Sequence, residues 1–232
     1  MKKLLHGLLA LIVLLALFST TACVFARQAQ VNLMVIEWYG NGRRAVVLSA
    51  IPSEDDSMAN PDYKLLPFWW HASIKYWINP SNKYGFSASA VIEVITAAAE
   101  TWDANTSFEL FVFQGATTRS AGRRDGYNVV AWGLYHGGQA IAVTYIWYTG
   151  DNIVETDTLM NARFKWGLMG EAGKMDVQNI MTHEFGHWCG LDDLYEDKDY
   201  WLTMYGYTSY GETYKRTLGL GDILGLQARY GK

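Results

Sequence analysis

The chain has 232 residues, half of them hydrophobic and 18% charged, with a formal net charge of -4. That length suits one domain with its own core plus a short appendage and is small for two enzyme domains, while the acidic balance argues against nucleic acid, which calls for a basic surface. Only Cys23 and Cys189 are present, so no disulfide framework is available.

In chain order, Lys2 and Lys3 precede an apolar run over residues 4–18 that ends in small residues. This is the layout of a secretory signal peptide, predicted here as residues 1–26 with cleavage after Ala22 or Ala26. The run is short for a membrane span, so the expected destination is secreted and extracellular. An uncleaved segment, or lipidation of Cys23, would instead hold the protein at the membrane surface. Loss of residues 1–26 removes two lysines and leaves 17 basic against 23 acidic side chains, about -6.

Residues 27–72 read as an N-terminal segment or short pro-region, with strand-like runs at 31–36 and 45–50 around a turn at Gly40, Asn41 and Gly42, then a polar linker at 52–61. Residues 73–232 form the main domain. A strand is predicted at 74–78, stopped by Asn79 and Pro80, and a helix at 89–102, where Val91, Ile95, Ala98, Ala99 and Trp102 recur at helical spacing. Strands follow at 108–113, 129–134 and 141–148, the last two joined by a turn at Gly137 and Gly138. A second helix starts at Asp176 as N-cap and ends where Gly190 can turn left-handed. A third carries Asp222 as cap, Ile223, Leu224, Leu226, Gln227 and Tyr230, and stops at Gly231.

The second helix holds the chemistry. In His183-Glu184-Phe185-Gly186-His187 two imidazoles four residues apart share one helix face and can reach one zinc ion, with Glu184 beside them. Gly190 permits a sharp turn, and Asp193, ten residues after His183, can swing back as a third ligand, leaving a fourth position open for water. Asp192 competes for that role one residue earlier. The bland alternative is an amphipathic core helix with solvated His and Glu, but two histidines flanking a glutamate are an odd choice for a plain surface.

Over residues 73–231 the chain resembles the metzincin clan of zinc endopeptidases, and within it looks like the matrixins with a snapalysin-like aspartate as third ligand. The resemblance rests on HEFGHWCGLDD at 183–193, on Thr203-Met204-Tyr205, which looks like the Met-turn beneath the zinc, and on GDILGLQARYG at 221–231. It implies an α+β fold: a metzincin-like twisted mixed β-sheet with about three helices, including an active-site helix and a C-terminal helix. It further implies one catalytic zinc on His183, His187 and Asp193, Glu184 as general base, and Met204 as support. Substrate would pair with an exposed edge strand at Ala140, Ile141, Ala142, Val143 and Thr144, with Tyr205 and Tyr207 shaping the pocket.

Three features depart from the pattern. Matrixins have a third histidine where this chain has Asp193. They hold latency with a cysteine, yet residues 27–73 contain none. Gly206 stands where some metzincins place an extra tyrosine ligand. Outside the signal, His71 and His136 are the only other histidines, so neither a second zinc nor structural calcium is supported. Cys189 reads as a small core filler. The expected function is a secreted zinc-dependent endopeptidase, a monomer acting on proteins or peptides. The competing reading is an exported zinc-containing binding or adhesion module without significant proteolysis.

Overall fold

The computed structural model describes residues 30–40 and 59–232. The expected signal peptide, Cys23 and the expected strand at 45–50 lie outside the described residues. The strands are β1 (Asn32–Gly40), β2 (Ile74–Asn79), β3 (Phe111–Ala116), β4 (Asn128–Gly133), β5 (Ala140–Thr149), β6 (Asn152–Asn161), β7 (Trp166–Gly167), β8 (Met175–Asp176) and β9 (Tyr207–Thr208). The helices are α1 (Ala88–Asp103), α2 (Val177–Trp188) and α3 (Leu220–Tyr230).

Seven strands form one sheet in the order β3-β2-β4-β6-β5-β1-β9, and β7 and β8 pair separately. The β3-β2-β4-β6 half is parallel, whereas β5 runs antiparallel to both β6 and β1. A mixed sheet with three helices is compatible with the expected α+β class. The apolar stripe of α1 is buried as its spacing predicts, Ser87 caps its start by accepting from the Ala90 amide at 3.2 Å, and the Trp102 indole donates to the Thr182 carbonyl at 2.8 Å. That last bond docks α1 against α2.

Two expectations need correction. Residues 129–134 and 141–148 do not form a hairpin, because β6 lies between β4 and β5. Its sequence, NIVETDTLMN, is too polar to announce a central strand, yet Glu155, Thr156, Asp157 and Thr158 are all buried. The two carboxylates are satisfied by the segment leading into β4: Asp157 accepts from the amides of Gly122, Arg123 and Val129 at 2.7, 3.1 and 2.8 Å, and Glu155 from those of Asp125 and Gly126 at 2.7 and 2.8 Å. The Thr158 hydroxyl bonds Thr144 and Trp188, while the Thr156 hydroxyl has no partner among the described residues. Buried polar groups are tolerated where they are paired.

The second correction concerns the edge. β5 was expected to be exposed there, but residues 32–40 lie along it as β1, from Asn32 opposite Tyr148 to Tyr39 opposite Ala140. Residues 59–72 are also stitched to the body. The Leu66 amide donates to the Gly190 carbonyl at 2.9 Å, the Asp192 amide to the Lys64 carbonyl at 2.8 Å, and Leu66 and Phe68 are buried.

Candidate metal centre

The centre is built on α2. Asp176 caps it, accepting from the Asn179 amide at 2.9 Å, and Gly190 follows its end with φ of +86°. A side chain at 190 would meet the Phe68 carbonyl oxygen at 2.9 Å, so the left-handed turn and the close packing both select glycine. The turn brings Asp193 back onto the helix face that carries His183 and His187.

These three side chains offer ligand atoms that all lie within 4.8 Å of one another. Asp193 Oδ1 is 3.2 Å from His183 Nε2 and 3.7 Å from His187 Nε2. His183 Nδ1 donates to the Thr203 carbonyl at 2.7 Å and His187 Nδ1 to the Leu191 carbonyl at 2.9 Å. A carbonyl only accepts, so each proton is fixed on Nδ1 and each Nε2 presents its lone pair to the centre. His183 Nε2, His187 Nε2, Asp193 Oδ1 and Glu184 Oε1 are all buried without a hydrogen-bond partner among the described residues. Three such atoms, those of His183, His187 and Asp193, lie together; that would be costly in a plain core and suits a site that could hold a metal ion.

Electrostatics agree with that arrangement. Burial pushes His183 below its ordinary range, against the pull of Asp193, which keeps the ring neutral as a ligand must be. Burial also pushes Asp193 upward, but the Tyr195 hydroxyl and any positive charge on the two histidines outweigh it and hold the carboxyl below its ordinary range. Burial raises Glu184 to about 7, moderated by His187 and Thr144.

The competing Asp192 is held elsewhere, its carboxylate 2.6 Å from Lys64 Nζ. Met204 is buried against α2: a side chain at Gly186 would meet its sulfur at 2.1 Å, so that glycine makes the room Met204 fills. Tyr205 is 1% exposed and stacks at an angle on Tyr207, whose strand β9 pairs with Tyr39 and Gly40. Ala140, Ile141, Ala142, Val143 and Thr144 are fully buried on β5. The open edge expected of them is covered.

Four residues gain a part that sequence reasoning did not give them. The Thr144 hydroxyl donates to Glu184 Oε2, so one carboxylate oxygen is pinned and the other is free. Tyr195 donates to Asp193 Oδ2 at 3.0 Å. Asp222, expected as a helix cap, lies inside α3 and accepts from the amides of Gly219, Thr203 and Met204 at 2.9, 2.8 and 3.0 Å. It thereby fixes the turn whose Thr203 carbonyl orients His183. Trp38 of β1 stacks flat on the His183 ring, 3.8 Å between centroids and 7° between planes. Among known proteins, no family model matches the chain and no curated protein matches it.

Proposed function

We propose that this protein is a secreted zinc-dependent endopeptidase of the metzincin type, acting as a monomer on proteins or peptides. One observation carries the reading: the unpartnered atoms of His183, His187 and Asp193 converge in one buried place, and Glu184, beside His183 in the chain, keeps one buried oxygen unpartnered. Two imidazole nitrogens and one carboxylate oxygen are the donor set of a catalytic zinc with a free position. The polar-headed apolar run at residues 2–18 supports export.

Zinc bound there would supply Lewis acidity toward the scissile carbonyl and a nucleophilic water near neutral pH. The remaining work belongs to the chain. Thr144 holds Glu184 by Oε2 and leaves Oε1 without a partner, and a carboxyl raised by burial to about 7 would take the proton of the attacking water and return it to the leaving amine. The Thr203 and Leu191 carbonyls keep both imidazoles in one tautomer, and Tyr195 orients Asp193. No covalent enzyme intermediate is required.

The test is cleavage of unfolded casein, with the chain intact and cut once between residues 41 and 58, with and without a chelator. Internal fragments should appear and should vanish with chelator, and Glu184→Ala should lower the rate about 10²–10⁴-fold while leaving bound zinc unchanged. Asp193→Ala should weaken zinc by at least about tenfold, the loss typical even of outer groups. A folded, zinc-loaded protein that leaves casein whole in both forms would shift the assignment to a binding module.

A further inference from the structure

The candidate centre is closed. His183, Glu184 and His187 are 0% exposed, and β5 has strand partners on both sides from Ala142 to Tyr148. A peptide hydrolase needs a groove that admits an extended chain, and here that groove is filled by another part of the same protein. β1 lies antiparallel along β5 in strand register, placing Ile36 opposite Thr144, whose hydroxyl holds Glu184, and Trp38 opposite Ala142. Alternate side chains point inward: Ile36 and Trp38 are buried, while Leu33, Val35 and Tyr39 are exposed. This is how an added peptide strand binds a sheet edge, with main-chain pairing for affinity and alternate pockets for selectivity.

Trp38 differs in one detail from the other most deeply buried tryptophans. Of the four tryptophans that are 1% exposed or less, Trp102, Trp166 and Trp188 donate their indole protons to Thr182, Asn161 and Thr158. The Trp38 indole nitrogen is buried with no partner among the described residues. Its ring lies flat on His183, and Lys215 Nζ, 5.9 Å from the ring centroid, is held by the Tyr207 carbonyl, Glu212 and the Tyr214 hydroxyl. The cavity therefore fits a flat aromatic ring by stacking, without satisfying this particular one. Among the described residues, β1 pairs apart from β5 only through Tyr39 and Gly40, with β9.

We propose that β1 is a displaceable self-ligand in the protein's own peptide groove. The vacated groove takes an extended peptide with an apolar side chain at the Ile36 position and an aromatic one at the Trp38 position. The purpose of the groove rests on the endopeptidase reading; its occupancy by β1 does not.

The test uses the full chain carrying Glu184→Ala and an inserted site for a sequence-specific protease between residues 41 and 58. A fluorescent peptide of the sequence at residues 32–40 is followed by anisotropy before and after the cut. The expected result is saturable binding to the cut chain only, at least about tenfold weaker for a peptide carrying Trp38→Ala, with residues 59–232 still folded by circular dichroism. Failure to exchange β1 for the peptide, equal binding of the two peptides, or unfolding when β1 leaves would each overturn the proposal and make β1 a structural strand. With Glu184 restored and zinc present, the cut should raise casein cleavage and the peptide should suppress it. Equal cleavage by cut and intact chains would overturn the self-ligand while leaving the peptidase standing. Selective peptide binding without any cleavage would uphold the self-ligand and sink the peptidase.

Discussion

Glu184 has two oxygens in different circumstances, and Thr144 creates the difference. Replacing Thr144 with valine keeps the shape but removes the donor. A hydrogen bond to a charged group is worth roughly 1.5–3 kcal/mol, so on the endopeptidase reading turnover of the Thr144→Val protein should fall at least about tenfold, with zinc content unchanged and Thr144→Ser restoring most of the rate. Unaltered turnover in the valine variant would show that Glu184 needs no such anchor. The sequence made His183, Glu184, His187 and Asp193 legible because helical spacing and one glycine turn place them locally. Thr144, Asp222 and Trp38 were not legible in these roles. Their contacts cross 40, 18 or more, and 145 positions of chain, and no local period records such a meeting.

At the scale of elements, hydrophobic pattern located β2, α1 and α2 within a residue or two, because each buries one apolar face. It missed β6, whose buried positions are polar. It also misjudged β5, since whether a strand is an edge depends on its neighbour and not on its own sequence. The β6 carboxylates carry a pH dependence. Burial raises Asp157 to about 7, against the pull of the three amides it accepts from. A folded pKa above the unfolded value means stability that is present below about pH 4 and lost as pH rises through about 7, on the order of 4 kcal/mol for this shift. Denaturant melts of the metal-free protein at pH 5 and pH 8 should show that loss. In Asp157→Asn, which has no proton to exchange, the difference should shrink; an identical slope in the variant would assign it to other groups.

For the molecule as a whole, the sequence placed the start of the main domain at residue 73, but its body begins earlier. Leu66 and Phe68 are buried, Arg229 donates to the Leu66 carbonyl at 2.6 Å, and a side chain at Gly221 would strike the Asp62 carbonyl oxygen at 1.9 Å. Each buried large apolar side chain contributes about 1.5–3 kcal/mol, against a total of about 5–15 for a typical domain. A chain starting at residue 73 should therefore fail to give a cooperative melt, whereas one starting at residue 59 should give one if β1 is dispensable.

Gly190 joins these scales. Its left-handed turn delivers Asp193 to His183 and His187, and its carbonyl accepts the Leu66 amide. Thermodynamic linkage requires reciprocity: any ion that tightens the 190–193 turn must also tighten the strap at 64–69, and loosening the strap must weaken the ion by the same factor. Zinc should thus slow deuterium exchange at the Leu66 and Asp192 amides, far from any ligand in sequence for the first. Lys64→Ala, which releases Asp192, should raise the zinc dissociation constant without touching the centre itself. The strap would then act as a remote tuning point for metal retention, adjustable by evolution at the protein's surface.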